Sequence, residues 1–538
     1  MTERYDAVII GGGHNGLTTA AYLAHAGWKT LVLERRHVLG GASVTEEVYP
    51  GFRFSVCSYV VSLLRPEIIR ELDLPRHGLE ILPLDGTFTP LPEATRGGYL
   101  WRTNDHAQTM RELRRWSPMD AEAYEEYGQL MVEMARFIKP ILAIVPPDPA
   151  GMDPRGFLPL GGLVRQFGRL SAEQQQIFIQ LMTMSAADFL DQWFETDPLK
   201  ATMSASGIIG TFQGVRSPGT AYVLLHHYMG EIDGAFRSWG IPRGGTGAIS
   251  LAIAAAAEEA GATIRTEAPV ARISTQGGRA TGVVLESGEE IGASAVVSSV
   301  DAHRTFLGLL EPGVLDPGFE AEVRRYKFRG SSGKVNLALD ALPDFTCLPG
   351  PGEHLRGAIS ISPSLDWMET AYDDAKYGAF SRRPYIDIVI PTLVDPSMAP
   401  PGKHTMSCFV QYAPYGLADG DSWDDARRTA FGDTVIDTIS QFAPNLREVI
   451  LHRQVLTPLD IERDFGLTEG NIFQGELSLE QLFFNRPVPG WARYRTPVRD
   501  LWLGGSATHP GGGIMGAPGR LAAMELMRAH RTTGRRAA

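Results

Sequence analysis

Residues 7–16 of the chain read AVIIGGGHNG, a short β-branched and apolar run that passes directly into a cluster of glycines. The run predicts a strand that is buried on both faces of a parallel sheet. Residues 11–16 fit the pattern G-x-G-x-x-G, and residues 17–26 carry apolar side chains at helical spacing. A second strand over residues 30–33 leads to Glu34. This order of strand, glycine turn, helix, strand and acid predicts a Rossmann-type unit that binds a dinucleotide.

Each glycine of the turn has a separate physical task. Gly11 permits the tight bend, Gly13 lets the backbone approach a pyrophosphate, and Gly16 lets the helix pack closely on the strand. The N-terminus of the helix supplies N–H donors and partial positive charge to the phosphates. The predicted cofactor contacts in this segment are Ile10, Gly11, Gly12, Gly13, His14, Asn15 and Gly16.

Glu34 lies 18 residues past Gly16 (34 − 16), close to the spacing expected for a carboxylate that binds a ribose hydroxyl. The neighbouring Arg35 and Arg36 could serve a 2′-phosphate, but Glu34 would repel one. The sequence therefore favours an unphosphorylated adenosine ribose, as in FAD or NAD.

A glycine pair, Gly40–Gly41, follows the acid within residues 35–43, which read RRHVLGGAS. This combination resembles the N-terminus of phytoene desaturases and amine oxidases, and residues 5–45 together with 58–59 and 62–66 are similar to phytoene desaturase-like FAD flavoproteins. The resemblance implies that FAD, rather than NAD, is the cofactor. It also implies a second set of cofactor contacts, formed by Arg35, Gly40, Gly41 and Ala42.

The middle of the chain predicts more strands of the same sheet. Residues 240–247 read GIPRGGTG and precede a predicted helix over residues 248–260. Strands are then predicted at 262–266 and 270–273, a hairpin at 282–290 and a return strand at 295–299. The resemblance implies that Val270 contacts the adenine through its backbone. The alternative, a second dinucleotide site at residues 244–247, is disfavoured because no buried strand is predicted before the turn and no ribose acid follows it.

The C-terminal cluster, residues 501–519, reads LWLGGSATHPGGGIMGAPG. A buried strand runs into glycines, and a helix is predicted over residues 520–530. The N-terminus of that helix could face the pyrimidine carbonyl of a flavin and stabilise negative charge on the reduced ring. The resemblance implies that the flavin is lined by Gly505, Gly512, Gly513, Ile514 and Met515.

The residue that transfers protons is less clearly indicated. His509 lies within the glycine cluster and has the side chain best suited to acid–base chemistry at neutral pH, so it is the candidate catalytic residue. The alternative is that His509 only packs beside the cofactor. His226 and His227, on a predicted helix, form a second pair of candidates.

The predicted fold class is α/β. A Rossmann-type FAD-binding domain is assembled from discontinuous segments, 1–75, 235–310 and 490–538, and a second α+β substrate lobe is formed by 76–234 and 311–489. In the second lobe, helical spacing of apolar residues covers 121–138 and 172–194, and strands are predicted at 334–339, 385–390 and 405–412. Met131, Met134, Met182 and Met184 could line an apolar tunnel, but core packing is the favoured interpretation.

Composition excludes several classes of function. With 50 Lys plus Arg and 62 Asp plus Glu, the net charge of −12 argues against a nucleic-acid partner. The three cysteines form no CxxC pair, which argues against disulfide exchange and structural zinc, and no metal site is predicted. The N-terminus lacks the features of a secretory signal, so a cytoplasmic location is expected, although eukaryotic members of the resembling family are mitochondrial. Peripheral membrane contact, a protein partner and the oligomeric state are left open.

These observations predict an FAD-dependent oxidoreductase of the phytoene desaturase-like type. It would act on a small hydrophobic substrate by hydride removal or by a double-bond shift. Two alternatives stay open: a flavoprotein with mainly a protein-binding or regulatory role, and an FAD amine oxidase. Because only one convincing dinucleotide turn is present, NADH and NADPH are not expected to reduce the flavin.

Overall fold

The structure, a computed structural model, describes residues 4–93, 95, 97–147, 154–232, 234–236 and 238–537. The strands of this part of the chain are β1 (Arg4–Ile10), β2 (Thr30–Leu33), β3 (Thr45–Tyr49), β4 (Phe52–Ser55), β5 (Ile81–Pro83), β6 (Thr87–Pro90), β7 (Tyr99–Arg102), β8 (Glu231–Ile232), β9 (Ala235–Phe236), β10 (Gly240–Pro242), β11 (Thr263–Arg265), β12 (Val270–Gln276), β13 (Arg279–Leu285), β14 (Glu290–Ser298), β15 (Ser332–Leu339), β16 (Ala358–Ile361), β17 (Tyr385–Val389), β18 (His404–Gln411), β19 (Ile450–Leu456) and β20 (Leu501–Leu503).

The α-helices of the same part are α1 (His14–His25), α2 (Pro66–Glu71), α3 (His106–Trp116), α4 (Pro118–Ile138), α5 (Pro154–Phe167), α6 (Ala172–Thr183), α7 (Ala186–Asp191), α8 (Asp197–Ser204), α9 (Thr220–Tyr228), α10 (Gly247–Glu259), α11 (Pro317–Arg325), α12 (Leu365–Lys376), α13 (Asp425–Ser440), α14 (Leu446–Val449), α15 (Pro458–Phe465) and α16 (Ala517–Ala537). None of these described helices has the length and apolarity needed to cross a lipid bilayer.

The first large sheet has the order β11-β2-β1-β14-β13-β12, and β20 also pairs with β14. β1 pairs in parallel with β2 on one side and with β14 on the other, so the strand order reverses at β1. Strands from the beginning, middle and end of the chain therefore share one sheet. This arrangement confirms the predicted α/β class with a Rossmann-type unit built from discontinuous segments.

Strand β1 is buried on both faces, as its apolar run predicts. Ala7 and Ile9 pack in a core with helices α1, α10 and α16. Val8 and Ile10 pack in the core on the opposite face, which includes residues of α11. This alternation explains why residues 7–10 are all apolar, because each successive side chain enters a different core.

The second large sheet has the order β19-β15-β18-β17-β16-β6-β7. One face packs through Val335, Ile388 and Cys408 against residues of α13. The other face lies toward a mainly helical region that includes α7, α8 and α12. The second lobe thus has the predicted α+β character. Met131 and Met134 are fully buried in the helical core, which confirms the packing interpretation of the methionines.

Three local predictions need correction. The helical stretch predicted over 172–194 is broken, because Ser185 accepts a hydrogen bond from the Asp188 N–H and starts the separate helix α7. The predicted return strand at 295–299 is the end of the longer strand β14, whose first residues pair with β13. Helix α16 begins at Ala517, three residues before the predicted start at 520.

Candidate functional site

A cavity of about 500 Å³ lies at the carboxyl ends of β1, β2 and β14 and extends to the second sheet. Ile10, Glu34 and Ser299 line it from the first sheet, and Lys334 and Phe409 line it from the second. In open α/β sheets, the place where the strand order reverses is where ligands bind. The cavity has this position, because β1 is flanked by β2 and β14.

The glycine turn shapes one wall of the cavity. Gly11 has φ of +96° and Gly16 packs so closely that a Cβ would lie 2.1 Å from the Gly11 carbonyl oxygen. Gly13 differs, because the nearest neighbour of its ideal Cβ is the Gly40 carbonyl oxygen at 3.9 Å. The space beside Gly13 therefore belongs to the cavity. Gly13 is also the N-cap residue of α1 and has no side chain to accept from the first helical N–H groups.

The Glu34 carboxylate is fixed at the end of β2 by two backbone donors. Oε2 accepts from the Gly12 N–H at 2.8 Å and Oε1 accepts from the Arg36 N–H at 2.9 Å. The Arg36 guanidinium pairs with Glu46, and the Arg35 guanidinium donates to the carbonyls of residues 463 and 464. Nη1 of Arg36, however, is buried without a hydrogen-bond partner among the described residues, so the case for an unphosphorylated ribose rests on the Glu34 carboxylate itself, which would repel a 2′-phosphate.

Six buried polar atoms of lining residues have no hydrogen-bond partner within the described part of the chain: His14 Nε2, Asn15 Oδ1, Arg36 Nη1, Ser62 Oγ, Arg304 Nε and Ser332 Oγ. An unsatisfied buried polar group costs about 1–3 kcal/mol. Such atoms on both lobes indicate a ligand with hydrogen-bonding groups along its length. The residues present therefore fit a dinucleotide flavin.

The structure brings most of the predicted cofactor residues to this cavity. Those that line it are Ile10, Gly11, Gly13, His14, Asn15, Gly16, Glu34, Arg35, Gly40, Gly41, Ala42, Val270, Gly513 and Ile514.

Four predicted contacts lie behind the cavity wall instead. Gly12 holds Glu34 through its N–H group. A Cβ on Gly505 would lie 2.2 Å from the Ser299 carbonyl oxygen, and one on Gly512 would lie 2.6 Å from the Phe473 ring. Met515 packs in the core of the helical region. These residues allow close packing and shape the cavity without lining it.

His509 does not line the cavity, which argues against the predicted role in proton transfer. Its ring is buried, Nε2 donates to the Ile141 carbonyl at 2.8 Å, and burial lowers its pKa to about 4. His226 is also buried away from the cavity, whereas His227 lines it and stacks on Trp239. The His227 Nδ1 donates to the Val223 carbonyl at 2.9 Å.

The turn at residues 244–247 offers no second dinucleotide site, although one of the two predicted reasons, the lack of a buried strand before the turn, is wrong. A short buried strand, β10, does precede it, but β10 pairs antiparallel with β5, outside the parallel sheet. The Thr246 and Gly247 N–H groups donate to the Ser55 and Thr45 hydroxyls. The amides that a phosphate would need are therefore already bonded.

Comparison with known proteins shows the family. Residues 16–526 match the family described as flavin containing amine oxidoreductase. The chain belongs to this family. A relative from Rattus norvegicus, pyridine nucleotide-disulfide oxidoreductase domain-containing protein 2, is 42% identical, over 98% of this chain and 94% of its own length. The lycopene-forming phytoene desaturase of a Paracoccus species is 26% identical, with 95% of each chain covered.

A solved oxidoreductase from Methanosarcina mazei has the same fold, with a TM-score of 0.62 at 19% identity, covering 98% of this chain and 100% of that one. The cofactor is FAD, and the protein is an FAD-dependent oxidoreductase. On the geometry above, Gly13 and His14 would contact the pyrophosphate and Glu34 the adenosine ribose.

The structure adds a group of residues that the sequence did not indicate. Lys334 is 2% exposed, lines the cavity and donates to the Cys57 carbonyl at 2.8 Å. Its Nζ lies 4.7 Å from the centroid of the Tyr59 ring, and burial lowers its pKa to about 7. Tyr59 in turn donates to Oδ2 of Asp387 at 2.6 Å. The sequence feature that could have revealed this group is the charged Lys334 within the otherwise uncharged strand β15.

Cys57 also lines the cavity, but its environment does not favour redox chemistry. Burial raises the pKa of its thiol to about 12, so the reactive thiolate is scarce at neutral pH. Cys347 and Cys408, like Cys57, form no disulfide. The flavin site thus lacks an activated thiol.

Proposed function

We propose that this flavoprotein is a dehydrogenase or double-bond isomerase that acts on an organic, largely hydrophobic substrate. The observation that carries the proposal is the apolar wall of the cavity where the second lobe meets the segment after Tyr59. This wall is formed by Val60, Leu63, Ile209, Phe409, Ile472 and Phe473. Apolar walls exclude water from the reacting atoms and suit a substrate without charge at its reacting carbon.

FAD supplies the capacity to accept a hydride from a substrate C–H bond. The residues of the chain bind the cofactor, exclude water and provide a group for proton movement. Lys334 is the candidate for that last role, because with a pKa of about 7 its Nζ can hold or release a proton near neutral pH. The name of the Paracoccus relative, a phytoene desaturase, supports hydrocarbon dehydrogenation as the reaction class.

The test is anaerobic stopped-flow with FAD-loaded protein, in which the loss of oxidised-flavin absorbance is followed. A lipid and carotenoid extract is expected to bleach the flavin, and NADH or NADPH alone is not. A double-bond shift in the extract without bleaching would support the isomerase form. Rapid bleaching by NADPH alone would contradict the proposal. Absence of both bleaching and double-bond shift with any extract would favour the protein-binding alternative.

Amine oxidation is a second candidate, favoured by the Lys334–Tyr59 pair. A lysine with a lowered pKa can accept the proton that a protonated amine must lose before oxidation. The family description includes amine oxidoreductases, which supports this candidate. A panel of primary and secondary amines in the same stopped-flow experiment separates it from hydrocarbon oxidation.

A further inference from the structure

A second cavity, of about 240 Å³, lies beside the cofactor cavity. Four residues line both cavities: Tyr59, Val60, Ile209 and Trp239. The two spaces are therefore neighbours across a single layer of side chains. Because Lys334 and Phe409 line the first cavity near Tyr59, the second cavity adjoins the part of the site where the proposed substrate reacts.

The floor of the second cavity is one face of the second sheet, and that face is polar. Across neighbouring strands, Ser360 pairs with Asp387 and Thr87 pairs with Arg102. All four side chains line the cavity. Successive side chains of a strand point to opposite faces of the sheet. The neighbouring residues Ile359 and Ile388 therefore pack in the apolar core on the other face, so one face of the sheet is polar and the other is apolar.

Polar side chains on the inner face of a sheet are uncommon, because a buried polar group needs a hydrogen-bond partner, so such a row indicates a specific role. Ser360 and Arg102 are 2% and 6% exposed, so the row lies far from the protein surface. Helical residues, including Thr202 and Ser206, close the cavity from the opposite side. The cavity can thus surround a polar group with hydrogen-bond donors and acceptors while its neighbour holds an apolar one.

The charges on the walls define the class of ligand. Of the described residues that line the second cavity, Asp387 and Arg102 carry charge. They stand on strands that are three positions apart in the sheet, so the two strands are roughly 14 Å from one another. In so small a cavity a cationic group would meet Arg102 and the nearby Lys334 as well as Asp387, and an anionic group would meet Asp387 as well as Arg102, so the walls favour neither sign of charge. A neutral group that both donates and accepts hydrogen bonds matches the walls best.

We propose that the second cavity binds the uncharged, hydroxyl-bearing end of an elongated substrate whose apolar part passes Tyr59 and Trp239 to reach the flavin. This inference rests on the proposed function and specifies its substrate class. One oxygen of Asp387 is engaged by Tyr59, and the half-buried carboxylate stays accessible to the cavity as an acceptor. Thr87 and Arg102 supply donors, and the Ser360 hydroxyl, which is bonded to the Ser362 hydroxyl at 2.8 Å, adds to the polar floor.

The test measures binding separately from turnover. FAD-loaded protein is titrated with four probes of equal chain length, octan-1-ol, octane, octylamine and octanoate, and affinity is read from the flavin difference spectrum and from calorimetry. Octan-1-ol is expected to bind at least about tenfold more tightly than the other three. Equal binding of octan-1-ol and octane, or preference for octylamine or octanoate, would overturn the proposal.

Variants locate the site. Asp387→Asn and the nearly isosteric Thr87→Val are expected to weaken octan-1-ol binding about five- to tenfold, while FAD content and octane binding are retained. Asp366→Asn, which removes a carboxylate 89% exposed on the surface of the same lobe, is the control and should change nothing. If Asp387→Asn fails to fold, octan-1-ol binding to Thr87→Val alone tests the assignment of the second cavity. Unchanged octan-1-ol binding in the cavity variants would contradict the assignment.

The result separates the inference from the function on which it rests. An octan-1-ol preference that depends on Thr87, in a protein that neither is reduced by any extract nor shifts a double bond in one, would support the cavity and contradict the proposed reaction. Flavin reduction by an extract without any octan-1-ol preference would support the reaction and overturn the cavity's assignment.

Discussion

The guanidinium of Arg486 donates to the carbonyl oxygen of Ser506 at 2.8 Å and is itself fully buried. The same group donates to the carbonyls of Phe473, Gly475 and Glu476. Ser506 and Phe473 both line the cofactor cavity. Arg486 therefore joins two walls of the FAD site. Its buried charge is compensated by backbone carbonyl groups, and no carboxylate of the described residues is bonded to it.

Replacing Arg486 by Lys is expected to destabilise the protein and weaken FAD retention. A lysine cannot reproduce the planar fork, so several buried carbonyls lose their donor, at a total cost of roughly 2–4 kcal/mol. The free energy of unfolding and the release of fluorescent flavin are the measurements. Arg356→Lys is the control, because that arginine is half-exposed and pairs with the half-exposed Asp85, so its loss should cost under about 1 kcal/mol. Equal effects of the two variants would contradict the role of Arg486.

Gly13→Val is expected to abolish FAD binding while the fold remains intact. The Cβ of the added side chain meets no protein atom closer than the Gly40 carbonyl oxygen at 3.9 Å, so the valine can be accommodated in the space that the pyrophosphate would occupy. Purified variant should be colourless, with the wild-type far-ultraviolet circular dichroism. Gly128→Ala, in helix α4, is the control and should stay yellow because its Cβ also meets open space, away from the cavity. A yellow Gly13→Val protein would refute the placement of the cofactor.

Local chain geometry explains what the sequence could predict. The turn at Gly11–Gly16 and the acid Glu34 lie within one continuous supersecondary unit, so spacing alone indicates their shared task. The Tyr59–Asp387 hydrogen bond joins residues 328 positions apart, and no spacing rule reports such a pair. The contact that His509 makes could not be predicted for the same reason, because the Ile141 carbonyl that holds its ring is 368 residues away. The glycine cluster in the sequence indicated Gly505 and Gly512. Their packing partners, Ser299 and Phe473, lie in other segments of the chain, so the sequence did not show that these glycines pack behind the cavity wall.

His509→Asn is now expected to reduce stability rather than the rate of flavin reduction. The shorter side chain loses the bond to Ile141, which contributes about 1 kcal/mol. Because the ring does not reach the cavity, the reduction rate with whichever extract component proves active should change less than about twofold. Chemical denaturation and stopped-flow reduction provide the two values. A slowing of about tenfold without loss of stability would restore the catalytic role.

The buried Lys334 should make stability depend on pH. Its pKa falls from 10.5 to about 7 on folding, so between these values the unfolded chain binds more protons than the folded one. The free energy of unfolding contributed by this group therefore rises with pH from about 7 toward 10.5 and is constant below 7. The measurement is chemical denaturation of wild type and Lys334→Met at pH 6, 7, 8 and 9, at fixed FAD concentration. The difference between their free energies of unfolding at each pH gives the contribution of Lys334. A difference that is flat across this range would show that Lys334 keeps an ordinary pKa.

Cys57→Ala is expected to leave both FAD binding and flavin reduction unchanged. With a thiol pKa of about 12, only about one molecule in 10⁴ carries the Cys57 thiolate at pH 8, too few for a redox couple with the flavin. Two observations check this directly in the FAD-loaded protein at pH 8: the rate at which a thiol reagent labels Cys57, and the long-wavelength absorbance of a thiolate–flavin charge-transfer complex. Slow labelling and no such band are expected. A band that disappears in Cys57→Ala would show an activated thiolate beside the flavin and would reopen disulfide chemistry, which the spacing of the three cysteines and the burial of Cys57 both oppose.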